Sequence, residues 1–102
     1  MKELKNWDNK NWLSSKSYIN SFNSFLLKKK KLNKNSKILD IGCGRGGIFG
    51  SLSRKLKLNN KPIGVDPVPH KDVDKLIDFR NEDVFKFFKT NQNKFDLIMI
   101  KQ

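Results

Sequence analysis

Lys37–Gly47 reads KILDIGCGRGG, an apolar run that carries one acid and then breaks into glycines. Ile38, Leu39 and Ile41 make a run too short for a helix and suited to a buried strand. Gly42, Gly44, Gly46 and Gly47 cannot extend it; they permit backbone angles and close approaches that a side chain forbids. Beyond them, Ile48 to Leu58 carries Phe49, Leu52 and Leu56 at helical spacing, with Asn59-Asn60 as a stop. The unit is strand, glycine turn, helix, and the helix N-terminus faces whatever lies over the turn.

Gly42-x-Gly44-x-x-Gly47 fits the dinucleotide fingerprint, but Asp40 argues against that ligand. A carboxylate two residues before the first glycine repels phosphates and attracts a ligand bearing an ammonium group. These residues resemble motif I of the class I S-adenosylmethionine-dependent methyltransferases, an acid-x-Gly-x-Gly-x-Gly pattern filled by Asp40, Gly42, Gly44 and Gly46. In that family the acid and the backbone of the glycine loop hold the methionine end of the cofactor. The resemblance therefore implies S-adenosylmethionine as cofactor, with Cys43 among the loop residues that cradle it. Inside this loop Cys43 has a packing or loop role rather than a nucleophilic one, and as the single cysteine it forms no internal disulfide.

Downstream, Lys61-Pro62 leads into a second strand, Ile63-Gly64-Val65, which ends at Asp66. The family places an acid here to hold both ribose hydroxyls, a task for a group that only accepts hydrogen bonds. Pro67 to Lys75, PVPHKDVDK, departs from the family, most of whose members have a full helix between strands two and three. Nine residues with two prolines supply no such helix, so either the connection is an extended loop or the third strand is poorly formed. A similarly short connection occurs in the ribosomal RNA 2'-O-methyltransferases. His70, the one histidine, is read as a solvated loop residue rather than a catalytic base, because nothing in the sequence positions a second group to orient it. The third strand is expected over Lys75–Phe79, around Leu76 and Ile77. Asn81-Glu82-Asp83-Val84 then resembles the family's adenine-binding turn, where Asp83 would accept from the exocyclic amine and Val84 would pack or donate its backbone N–H. Asp83 is equally placed to N-cap a helix over Val84–Lys89, with Phe85 and Phe88 at helical spacing. After a polar loop, Phe95–Ile100 reads as a fourth buried strand, opened by the Phe-Asp pair typical of the family's strand four; Asp96 there is structural.

Upstream, Met1 to Asn11 is polar, with Trp7 and the adjoining Trp12 as its large apolar groups, and is expected to form a turn or short helix. From an N-cap at Ser14 or Ser15, an amphipathic helix runs to Leu32 with Tyr18, Ile19, Phe22, Phe25 and Leu26 on one face. It packs on the sheet, or in the functional alternative covers part of the cofactor pocket. Lys28 to Lys31 suit the negative end of its dipole.

At 102 residues the chain is one domain at most, divided into an N-terminal helical extension, 1–36, and a partial cofactor-binding domain, 37–102. The fold expected is α/β: a Rossmann-like parallel sheet ordered 3-2-1-4, with flanking helices and the N-terminal amphipathic helix. The family continues with three more strands, so the resemblance implies a truncated chain or fragment, and an open strand-four edge that a dimer or partner chain would cover. No apolar run approaches the ~18 residues of a membrane span, which leaves a cytoplasmic protein as the expectation. No Cys/His cluster suggests a metal. Net charge is +12, but lysine outnumbers arginine 19 to 3, a composition that reads as a solvated surface rather than a specific nucleic-acid site. Methyl transfer to a small-molecule acceptor is the function expected, Lys101-Gln102 resembling the opening of the helix after strand four in many small-molecule enzymes. The alternatives are an RNA methyltransferase and a non-catalytic cofactor-binding or interaction module; catalytic residues are unassigned.

Overall fold

The computed structural model describes residues 16–29 and 31–100. Trp7, Trp12, the Ser14/Ser15 cap, Lys101 and Gln102 lie outside them. In chain order the elements are α1 (Lys16–Lys29), β1 (Ile38–Ile41), α2 (Gly47–Leu56), β2 (Ile63–Val65), β3 (Asp78–Arg80), α3 (Val84–Thr90) and β4 (Leu97–Ile100). The four strands form one parallel sheet in the order β3-β2-β1-β4, a Rossmann-like arrangement. Two steps to one side of β1 and a return to its other side put the topological switch beside β1. Ligands of open α/β sheets bind at such a point, outside the carboxyl ends of the strands.

β1 is buried on both faces, and its alternation assigns each face a helix layer. Ile38 faces α1 and α2, packing with Ile19, Leu26, Ile48, Phe49 and Leu52. Leu39 faces the other way, onto Val65 and the fully buried Phe87 of α3. Period two then returns Asp40 to the side of α1 and α2.

Several elements differ from their sequence reading. α1 stops short of Leu32, and its buried stripe includes Asn23 while Phe25 is exposed. Asn23 is buried because it lies against α2, donating its side-chain amide to the Ile48 carbonyl at 3.3 Å. α2 closes two residues early, where Lys57 turns left-handed (φ 53°) and its N–H returns to the Ser53 carbonyl. β3 starts at Asp78 rather than Lys75, because Asp74 takes the preceding donors: Leu76 N–H bonds its carboxylate and Ile77 N–H its carbonyl. In α3 the buried aromatic is Phe87, with Phe85 and Phe88 outward. β4 is half-buried rather than buried. Leu97 and Met99 pack on the α1–α2 side, but α3 sits over β1 and β2 and leaves Ile98 48% and Ile100 69% exposed.

Residues 66–77 cross from β2 to β3 without a helix, which resolves the open question about this connection as an extended loop. One side chain fastens it. Asp74 receives two hydrogen bonds from Arg54 of α2, at 2.8 and 2.9 Å, and lies where a side chain on Gly50 would stand. Among the described residues no helix is long and apolar enough to cross a membrane.

Candidate functional site

The glycine turn begins where β1 ends. Gly42, Gly44 and Gly46 all have left-handed backbone angles (φ 74°, 57° and 75°), whereas Gly47 opens α2 and does not. The demand for glycine thus falls on alternate positions, 42, 44 and 46, and not on the 42, 44, 47 spacing of the dinucleotide fingerprint.

The three do not have the same surroundings. A side chain on Gly46 would meet Ile77 Cγ1 at 2.6 Å, so the loop before β3 closes over that glycine. On Gly44 it would meet no heavy atom within 4 Å. The turn is therefore packed at its base and open at Gly44. Cys43 points inward: its thiol is buried and lies where a side chain on Gly64 of β2 would stand, 2.7 Å away. Only its backbone can serve a ligand over the turn.

Asp40 is fully buried in the central strand, two residues before Gly42. A carboxylate costs far more to bury than the leucine and isoleucines beside it, so packing does not account for its place.

Asp66 joins β2 to that turn. Its Oδ2 accepts the Gly44 N–H at 2.9 Å, and its Oδ1 accepts the Val68 N–H at 2.9 Å. His70 Nε2 lies 3.4 Å from the same Oδ2, and its ring stands edge-on to Phe79 with centroids 6.2 Å apart. The imidazole is therefore not a merely solvated group; it has the orienting neighbour that the sequence reading lacked. The signal was present as a spacing of four between Asp66 and His70, obscured by two intervening prolines.

The third arm is held by Asn81, whose amide donates to the carbonyls of Asp66 and Pro67 at 2.9 and 3.0 Å. Two residues on, Asp83 caps α3, its Oδ1 accepting from Phe85 N–H at 2.7 Å and Lys86 N–H at 3.3 Å. Both cap bonds use one oxygen. Val84, partly buried, follows as the first helical residue.

The expected residues thus gather at the carboxyl ends of β1, β2 and β3. Gly44 and Asp66 touch directly, and Asp83 is tied in through Asn81. Among the described residues no group of three or more His, Cys, Asp or Glu could hold a metal ion. No protein-family model matches the chain, and no curated protein matches it in sequence.

Proposed function

We propose that the chain binds S-adenosylmethionine along this carboxyl edge and donates its methyl group to a small-molecule acceptor. The observation that carries the reading is the Gly44–Asp66 junction, an open left-handed glycine tied to a carboxylate from the next strand. The acceptor set suits the ligand. Asp66 Oδ1 has one backbone N–H and further acceptor capacity for a ribose hydroxyl, while Oδ2, bonded by Gly44 N–H, also faces His70 Nε2. Asp83 has an oxygen outside the cap for the exocyclic amine of adenine, and Asp40 sets a negative charge under the end that carries an ammonium group. Gly42, Cys43, Gly44 and Gly46 contribute backbone, and Val84 an apolar contact or its N–H.

When bound, the cofactor supplies an activated methyl group on a sulfonium. The protein's part is then to hold and orient, and at an acceptor to exclude water. Titrating S-adenosylhomocysteine into the folded chain by calorimetry tests this. Micromolar binding is expected, weakened at least about tenfold in Asp66→Ala by loss of ribose and turn contacts together. Gly44→Ala is the sharper probe: it meets no neighbour and costs roughly 1–2 kcal/mol of left-handed strain, but puts a methyl group where the ligand would lie. A folded wild-type chain that does not bind sinks the proposal.

The helix-free connection 66–77 favours RNA as the alternative acceptor, because it resembles the ribosomal RNA branch. The exposed Ile98 and Ile100 favour a third reading, a cofactor-binding module that needs a dimer partner or second chain over β4. Methyl transfer that appears only when another polypeptide is added would select it.

A further inference from the structure

The opposite, amino edge of the sheet carries a surface that methyl transfer does not use. Four segments enter strands there, and three of them form this surface: residues 31–37 lead into β1, 57–62 into β2 and 91–96 into β4. They read KLNKNSK, KLNNKP and NQNKFD. Hydrogen bonds join them into one rim. Asn59 N–H donates to the Lys34 carbonyl at 2.8 Å, and its side-chain amide to Asn35. Lys37 and Asp96 exchange two bonds of 2.7 Å, Lys37 N–H to the carboxylate and Asp96 N–H to the Lys37 carbonyl.

The topology therefore gathers Lys31, Lys34, Lys37, Lys57, Lys61 and Lys94 on one edge, all exposed. None of the six ammonium groups is in an ion pair among the described residues. The two carboxylates nearby are already engaged, Asp96 by Lys37 N–H and Asp78 by Arg80. A composition rich in lysine would scatter charge over both edges, and it does not. The amino-edge loops 31–37, 57–62 and 91–96 hold six basic residues and one acid, against two basic residues and three acids in 42–46, 66–71 and 81–83 at the carboxyl edge.

We propose that this amino edge binds the phosphodiester backbone of a nucleic acid. Lysines spread along a rim match a line of phosphates, and the asparagine amides between them offer donors to phosphate and sugar oxygens. A hollow of about 330 Å³ between Lys31 and Asp96, lined also by Asn33 and Asn35, gives the rim relief. A bilayer fits less well, because the leucines of these loops, Leu32 and Leu58, are turned into the core and leave nothing apolar to insert. The proposal goes beyond the transferase reading and does not depend on it.

The test is fluorescence anisotropy of a labelled single-stranded RNA of about 20 nucleotides, titrated with the full chain between about 50 and 200 mM salt. Replacing Lys34, Lys57, Lys61 and Lys94 by glutamine should lower affinity by at least about tenfold and flatten the log–log salt slope by about 2 to 3, near 0.7 per lost phosphate contact. The control, glutamine at Lys71 and Lys86 on the other edge, compared with a rim pair, should leave the slope unchanged. Circular dichroism verifies folding, and the pairs Lys34/Lys94 and Lys57/Lys61, changed separately, replace the fourfold variant if it unfolds. Three results overturn the proposal: no salt-dependent binding by the wild type; equal losses in the two sets, which reduces the effect to net charge; or tighter binding to phosphatidylserine vesicles than to RNA.

Discussion

Asp83 spends one oxygen on the cap of α3, and this allows its two roles to be separated by a single atom. Alanine removes the cap and should cost about 1 kcal/mol in urea unfolding. Asparagine caps as well as aspartate, so Asp83→Asn should unfold within about 0.5 kcal/mol of the wild type. Its one oxygen is then occupied, and its NH2 group cannot accept from an adenine amine. The expected signature is unchanged stability with about tenfold weaker S-adenosylhomocysteine binding by calorimetry; unchanged affinity would remove Asp83 from the site. The cap was legible in the sequence because it depends on neighbours two and three positions away. Asn23 was not, since its acceptor, the Ile48 carbonyl, lies 25 residues on and only the packing of α1 on α2 brings it near. Asp66 was half legible: its place at the end of β2 could be read, but not its bond to Gly44, which needs the turn to fold back over the strand.

The element least like its expectation is the crossover from β2 to β3. Leu76 and Ile77 look like the heart of a strand, yet a turn at Asp74 claims their N–H groups, Leu76's by its carboxylate and Ile77's by its carbonyl, and Ile77 is used to close over Gly46. An apolar pair cannot announce by itself whether it packs in a strand or before one. In place of a crossover helix the loop has its anchor on α2, where Gly50 leaves room for the Asp74 carboxylate gripped by Arg54. Propensity and packing make opposite predictions for Gly50→Ala. Alanine should favour an isolated helix by about 1 kcal/mol, but here its methyl group displaces a carboxylate held from two sides. Overpacking of that kind costs about 1–3 kcal/mol, so the variant should be less stable in urea. A stabilised variant would show that the loop yields freely and that Asp74 does not anchor it.

At the level of the whole molecule, the strand order followed from the family resemblance and the ordered acids at strand ends, whereas the periodicity of short runs could not have distinguished it from other parallel arrangements. Nor could those runs tell how far each sheet face is covered. Stability should also carry a trace of the β3 edge in acid. Two hydrogen bonds from Arg80 hold the Asp78 carboxyl below its ordinary range, with Lys61 adding to the effect and burial opposing it. A lowered folded-state pKa gives stability that is fully present above the unfolded value, about 3.9, and lost as pH falls through the folded one. The pair is more than a third exposed, so its worth is at most about 1 kcal/mol, and Arg80→Gln should flatten the fall in urea midpoint below about pH 4 by no more than that; an unchanged profile would show that solvent screens the pair entirely. Finally, β1 is paired on both sides, and one partner, Leu97–Ile100, comes from far along the chain. During synthesis the glycine turn, α2 and β2 leave the ribosome well before that partner does, so the nascent chain must hold its central strand half paired, with one row of backbone groups open to any passing strand.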